Sequence, residues 1–480
     1  MTLRTLPAHG RSRSDVLAAM QAARDRDVRW REGRVFSLVF NAGDEVSEVL
    51  KDAYTLFFSE NGLNPTAFPS LKKFETEVVA MAASLLGGDD GVVGNLTTGG
   101  TESLLLAVLT AREWARQTKP HITSPAMVLP ASAHPAFEKA AHYFGVKSIR
   151  VPVRSDFRAD PAAMERAITS DTILMVGSAP SYPHGVVDPI RELASIAQQH
   201  ELLCHVDACV GGLLLPFVRR LGYPVPDFDF SIPGVTSLSA DLHKYGYAAK
   251  GASVILYWDA ALRRHQYFAY TDWSGGIYAS PSMTGTRAGG PIAAAWAILN
   301  YLGEDGYLRL TDQVMKTAIK LRDGIHAIDG LHVIGQPDMT VMAIGSDRLD
   351  VYEVGDELTA RGWHLDRQQF PPSLHLTVSP YHAQVADDFL RDLRAAASVA
   401  GKFRWGRTAN RIAVKTANLA ARKLPSRWLS RLTSKTSSLL GASGEELPQR
   451  SAPMYGLMGT LPNRGDLHAV VIDLLDRLTK

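Results

Sequence analysis

Residues 202–208 read Leu-Leu-Cys-His-Val-Asp-Ala, and residues 236–246 read Thr-Ser-Leu-Ser-Ala-Asp-Leu-His-Lys-Tyr-Gly. Each begins as a short apolar or β-branched run and ends at charged side chains. A run with no polar alternation is expected of a parallel strand covered on both faces. Working outward, similar runs occur at Met127–Leu129, Ile149–Val153, Thr172–Gly177 and Ser253–Tyr257, with helical patterns between them. That alternation predicts an open, mainly parallel α/β sheet, whose ligands gather at the strand C-terminal ends.

The same periodicity divides the chain. Residues 1–75 read as an N-terminal arm, with helical patterns at Asp15–Ala23 and Val46–Phe58. Residues 76–330 form the large α/β domain. Residues 331–480 form a smaller C-terminal α+β domain, with strands near His332–Ile334, Thr340–Gly345 and Leu374–Val378 and a basic insertion at about 400–452. The chain has 480 residues, 46% apolar and 21% charged, as expected of a soluble globular protein. Its two cysteines, Cys204 and Cys209, cannot frame a disulfide scaffold and point to a reducing compartment. Residues 1–15 lack the apolar segment of a signal peptide, and the run Val210–Val218 is too short to span a bilayer. A cytoplasmic location is expected.

Four features fall in chain order at the strand ends. Thr97-Thr-Gly-Gly-Thr-Glu102 precedes a helical run; Gly99, Gly100 and Thr101 there suit a phosphate, since glycine admits close backbone approach and a helix N-terminus offers free N–H groups. His134 follows the run Met127–Leu129. Asp207 closes an apolar strand, an expensive place for a carboxylate without a cation. Lys244 follows the next strand and precedes a glycine turn. A phosphate cradle, a ring-stacking group, an acid for a pyridinium nitrogen and a Schiff-base lysine are what pyridoxal 5′-phosphate (PLP) requires. No metal site is expected.

These residues, with Ser178-Ala-Pro-Ser-Tyr-Pro-His-Gly185, Thr271-Asp-Trp-Ser-Gly-Gly-Ile-Tyr-Ala-Ser-Pro281 and Gln369-Phe-Pro-Pro-Ser-Leu-His375, carry a family resemblance. The chain resembles the sphingosine-1-phosphate lyase branch of the group II PLP-dependent decarboxylases, of fold type I, from about residue 12 onward. The resemblance implies Lys244 as the Schiff-base lysine, Asp207 as the pyridinium partner and His134 as the stacking residue. It further implies that Gly100, Thr101 and His243 hold the cofactor phosphate, and that Thr286 in the Gly285–Arg287 turn reaches it from a second subunit of a homodimer. Lys250, Tyr182 and Asn61 match substrate-facing positions. Two departures stand out: Phe40 occupies the place of a tyrosine, and Asn64 that of a phosphate-binding histidine.

The implied activity is retro-aldol cleavage of a phosphorylated long-chain amino alcohol to a fatty aldehyde and phosphoethanolamine, with Tyr182 among the candidate proton carriers. The alternative is an amino-acid decarboxylase on the same scaffold; a non-catalytic PLP-binding protein is a third reading. Residues 402–435 hold ten Lys and Arg and no acid. Arg404, Arg407, Arg411, Lys415 and Arg422 share one helical face, a pattern suited to peripheral contact with an anionic membrane. The bland reading of this segment is a solvated insertion, and no nucleic-acid readout motif accompanies it.

Overall fold

A computed structural model describes residues 5–402 and, beyond them, positions 468, 472 and 476. The basic segment 402–435, save Lys402, and the insertion at about 400–452 therefore lie outside the described residues.

Seven strands form the main sheet: β1 (Val93–Thr97), β2 (Ala126–Pro130), β3 (Lys147–Val151), β4 (Thr172–Ser178), β5 (Leu203–Asp207), β6 (Ser237–Ala240) and β7 (Ser253–Tyr257). Their order is β1-β7-β6-β5-β4-β2-β3. β3, β2, β4, β5 and β6 run parallel, and β7 runs antiparallel to both β6 and β1. β2, β4 and β5 are buried at every position, which explains their unbroken apolar sequences. Register brings the working ends together. Ser178 lies beside Asp207, Asp207 beside Ser239, and Ala240 and Thr97 pair with Val254 and Ser253. The segments leaving β1, β2, β4, β5 and β6 thus emerge at one edge.

A surface hairpin pairs β8 (Phe268–Tyr270) with β9 (Tyr278–Ser280). The second sheet is antiparallel, in the order β10 (His332–Val333), β11 (Val341–Gly345), β13 (Ser373–Thr377), β12 (Asp366–Gln368). A 38-residue helix, Gly289–His326, broken at Gly303 (φ 55°, ψ −175°), serves both sheets. Its Ile298, Leu302 and Leu310 join the core under the first sheet, and its Ala318, Leu321 and Ile325 join that under the second. Arg158 clasps Asp338 at 2.8 Å across the junction, and Tyr245 donates to the Val378 carbonyl at 2.8 Å.

The arm's helical patterns correspond to helices Arg13–Arg24 and Asp44–Leu56. No residue of the first of these helices is buried. Three elements escaped the sequence reading: β1, β12 and the β8–β9 hairpin. No described helix is long and apolar enough to cross a membrane.

Candidate active site

At the shared strand edge, β6 runs straight into the turn Asp241–Lys244, closed by the Lys244 N–H donating to the Asp241 carbonyl at 3.2 Å. Lys244 Nζ rests 2.9 Å from Asp241 Oδ2, with a quarter of its side-chain surface open. Burial alone would lower the pKa of this amine; the charge and hydrogen bond of Asp241, with the charges of Cys209 and Asp207, together outweigh burial and raise it. Asp241 is fully buried, which favours its protonated form, yet Lys244 and then His243 hold its pKa below the ordinary value. His243 Nε2 lies 3.7 Å from the same carboxylate. Its Nδ1 accepts from the Ala252 N–H at 3.3 Å, and burial lowers its pKa.

On the neighbouring strand, Asp207 is buried and its Oδ1 accepts from the Cys209 N–H at 3.1 Å. Among the described residues it makes no ion pair. His134 Nδ1 accepts from the Ala136 N–H at 3.1 Å, which leaves Nε2 to carry the proton of the neutral ring. Its pKa is lowered by burial, against the field of Asp207. His134, Asp207, Asp241 and Lys244 are close enough to act on one another electrostatically.

Gly99 and Gly100 open the helix Gly100–Thr118, whose start no side chain caps. A Cβ on Gly100 would lie 2.8 Å from both Asp241 oxygens and from Cys209 Sγ, and one on Gly99 would lie 3.3 Å from His243. Glycine is therefore required for this turn to close against the lysine segment. Thr101 is exposed in the first helical turn. Glu102, buried, accepts from the Thr98 N–H at 2.6 Å and Oγ1 at 2.7 Å, and from the Met283 N–H at 2.9 Å.

Lys250 Nζ donates to the His243 carbonyl at 3.1 Å and stands 5.3 Å over the Phe40 ring. Burial, then the nearby Lys244 charge, lower its pKa to about 8. Phe40 packs edge-on to Tyr245 at 4.9 Å. Tyr182 stacks on His375 at 4.1 Å and donates to Asp366 Oδ2 at 3.1 Å; burial and then Asp366 raise its pKa.

Lys244, Asp207, His134, His243, Lys250, Gly99 and Gly100 are thus brought together. Tyr182 lies between the two sheets, with no described contact to Lys244. Asn61 accepts from the Leu63 N–H at 3.1 Å and bridges Ala288, away from the lysine. Thr286 is exposed and does not touch the cradle of its own chain. Asn64 Oδ1 takes the Thr66 N–H at 3.0 Å, the Thr66 hydroxyl at 2.7 Å and the Ala67 N–H at 3.2 Å, so this residue closes its own turn. The sequence reading gave Asp241 and Glu102 no task. Asp241 carries the same signal as Asp207, an acid ending a buried strand.

A phosphate-bearing pyridine fits these residues. An uncapped helix start meets a glycine turn with no room for a side chain, and a buried carboxylate without an ion pair stands near a primary amine. Residues 20–344 match the pyridoxal-dependent decarboxylase conserved domain. A sphingosine-1-phosphate lyase of Oryza sativa is 41% identical over 484 residues, spanning 99% of this chain and 82% of its own. This chain belongs to the sphingosine-1-phosphate lyase branch of the pyridoxal-dependent decarboxylase family. A second such lyase, from Rattus norvegicus, is 44% identical over 395 residues, 82% of this chain and 69% of that one. The solved structure of a Burkholderia pseudomallei sphingosine-1-phosphate lyase superposes with a TM-score of 0.81 at 40% identity, covering 88% of this chain and 98% of that one. A glutamate decarboxylase of Lactobacillus brevis shares the fold alone, with a TM-score of 0.74 at 18% identity over 84% of this chain and 96% of its own. As a member of the pyridoxal-dependent decarboxylase family, the chain has fold type I and takes pyridoxal 5′-phosphate as its cofactor.

Proposed function

We propose that this chain is a PLP-dependent carbon–carbon lyase that cleaves a phosphorylated long-chain amino alcohol into a fatty aldehyde and phosphoethanolamine. The carrying observation is the contrast in likeness. Identity to proteins named sphingosine-1-phosphate lyase reaches 44%, whereas a glutamate decarboxylase structure of the same fold stands at 18%.

Lys244 would hold the cofactor, Asp207 would face its ring nitrogen and His134 its ring face, with Gly99, Gly100, Thr101 and His243 at its phosphate. When bound, PLP supplies an electron sink for the pair left on carbon as the C2–C3 bond breaks. The protein's own work is to place charge and protons. Asp207, buried without an ion pair, suits a positive nitrogen. Lys250 offers an ammonium to the substrate phosphate. Tyr182, its hydroxyl held protonated by burial and Asp366, donates rather than accepts, and relays a proton only by way of that carboxylate. With Phe40 lacking a hydroxyl, the base for the substrate's 3-hydroxyl would be another group, such as a histidine of the site or the substrate phosphate.

A homodimer completes the site in this reading. Thr286 is exposed, the first helix buries nothing, and Phe268, Tyr270, Trp273 and Ile277 leave large apolar surfaces on and beside the hairpin. Light scattering on the purified chain is expected to return twice the chain mass. A cytoplasmic location is proposed on two free, buried cysteines.

The deciding experiment incubates the PLP-loaded chain with dihydrosphingosine 1-phosphate and identifies products by mass spectrometry, with Lys244→Ala as the blank. Hexadecanal and phosphoethanolamine are expected from the natural chain alone. No aldehyde from loaded protein, with carbon dioxide released from an amino acid instead, would overturn the lyase reading.

A further inference from the structure

Asp241 is the titratable side chain of this site to which the lyase chemistry assigns nothing. It directly follows β6, is 2% exposed, and has the Lys244 amine and the Ser253 hydroxyl as the hydrogen-bonding groups that lower its pKa. Its nearest cation is Lys244 Nζ at 2.9 Å, presented by the turn between them, with His243 Nε2 next at 3.7 Å. Gly100 lies against the carboxylate, where a Cβ would come within 2.8 Å of both oxygens. The remaining charged or titratable groups around the pair are His243, His134, Asp207, Lys250 and Cys209.

A buried carboxylate left alone is costly, and one paired with an ammonium depends on that pairing. A Schiff-base lysine, however, must leave and rejoin its cofactor. We propose that Asp241 is a positioning residue that receives the Lys244 ammonium whenever that amine is not bonded to the cofactor, and so sets how readily the lysine is captured and released. The proposal rests on Lys244 being the cofactor-bearing lysine.

The chemistry balances. Capture joins Lys244 Nζ to the aldehyde carbon of PLP and expels the aldehyde oxygen as water, and only the neutral amine adds. The ammonium must first lose a proton, which the Asp241 pairing opposes. During turnover the direction reverses. The substrate's ammonium gives up a proton and its nitrogen takes over the carbon, while Lys244 leaves, gains a proton and settles against Asp241.

The test strips the full chain of cofactor and follows uptake of added PLP by absorbance from about pH 6 to about pH 10, for the natural chain and for Asp241→Asn. With the pairing gone, the rising limb is expected to move to lower pH, and uptake at neutral pH to quicken about tenfold for every pH unit the limb moves. Coincident profiles overturn the proposal. Thermal melting of cofactor-free Lys244→Met, Asp241→Asn and the double variant guards against a folding defect. Lys244→Met strands the carboxylate, so the double variant is expected to melt above it. A double variant no more stable than Lys244→Met means a merely structural role and overturns the proposal. Borohydride reduction and peptide mapping separate the two readings. PLP fixed on another lysine overturns both, whereas PLP on Lys244 with coincident profiles sinks Asp241 alone.

Discussion

A Cβ at residue 100 would press on two carboxylate oxygens and a sulfur at 2.8 Å, none of them the end of a long flexible chain. Gly100→Ala is therefore expected to weaken PLP binding at least tenfold, and to lower stability by about 1–3 kcal/mol, the usual range for overpacking. Equilibrium dialysis and urea unfolding would check both. At this scale the sequence was informative where a residue's meaning lies in its place on a strand. Lys244, Asp207 and His134 follow apolar runs, and the fold brings them together as that placement implied. Glu102 was silent because its partner is set by the fold: it accepts from a residue 181 positions away.

Between elements, Glu102 ties the start of one helix to the loop that follows the hairpin. Its two oxygens hold the Thr98 turn and the Met283 backbone at once. Glu102→Ala leaves those donors unpaired, at about 1–3 kcal/mol for each one that stays buried. The expected outcome is a lower urea midpoint and faster proteolysis within 281–287, slowed again by saturating PLP. Strands β2, β4 and β7 were legible because largely apolar sequence is what a strand covered on both faces demands. β1 was hidden by Gly94, where a Cβ would lie 2.3 Å from the Ile255 carbonyl; its strand character comes from pressing on β7, not from propensity. β12, Asp-Arg-Gln, is a polar edge strand defined by its partner β13, and the hairpin strands are mostly exposed.

Across the whole molecule, four histidines sit in dry surroundings. Burial lowers His184, His205, His375 and His382 from an ordinary value of 6.5 to about 4. Unfolded, these rings take up protons near pH 6.5; folded, they resist until about pH 4, so the unfolded chain binds more protons in that window. Stability is then full above pH 6.5 and falls as pH drops, by up to about 1.4 kcal/mol per ring per pH unit. Melting temperatures at pH 7 and pH 5 are expected to differ by several degrees. Replacing buried His205 by Gln, which can still pair with Ser237, is expected to reduce that difference. None of this was legible beforehand, because a histidine in a sequence carries no mark of its burial.

The long helix Gly289–His326 has a further consequence, in time rather than space. A ribosome delivers a chain from its N-terminus, and early segments begin to fold before later ones exist. The first sheet and Lys244 precede residue 289, yet the far half of this helix packs in a core drawn largely from residues after 326, the second sheet and the helix His382–Gly401 among them. The hydroxyls of Tyr245 and Tyr182 likewise wait for Val378 and Asp366. A nascent chain therefore owns its lysine long before it owns the later segments that pack around it.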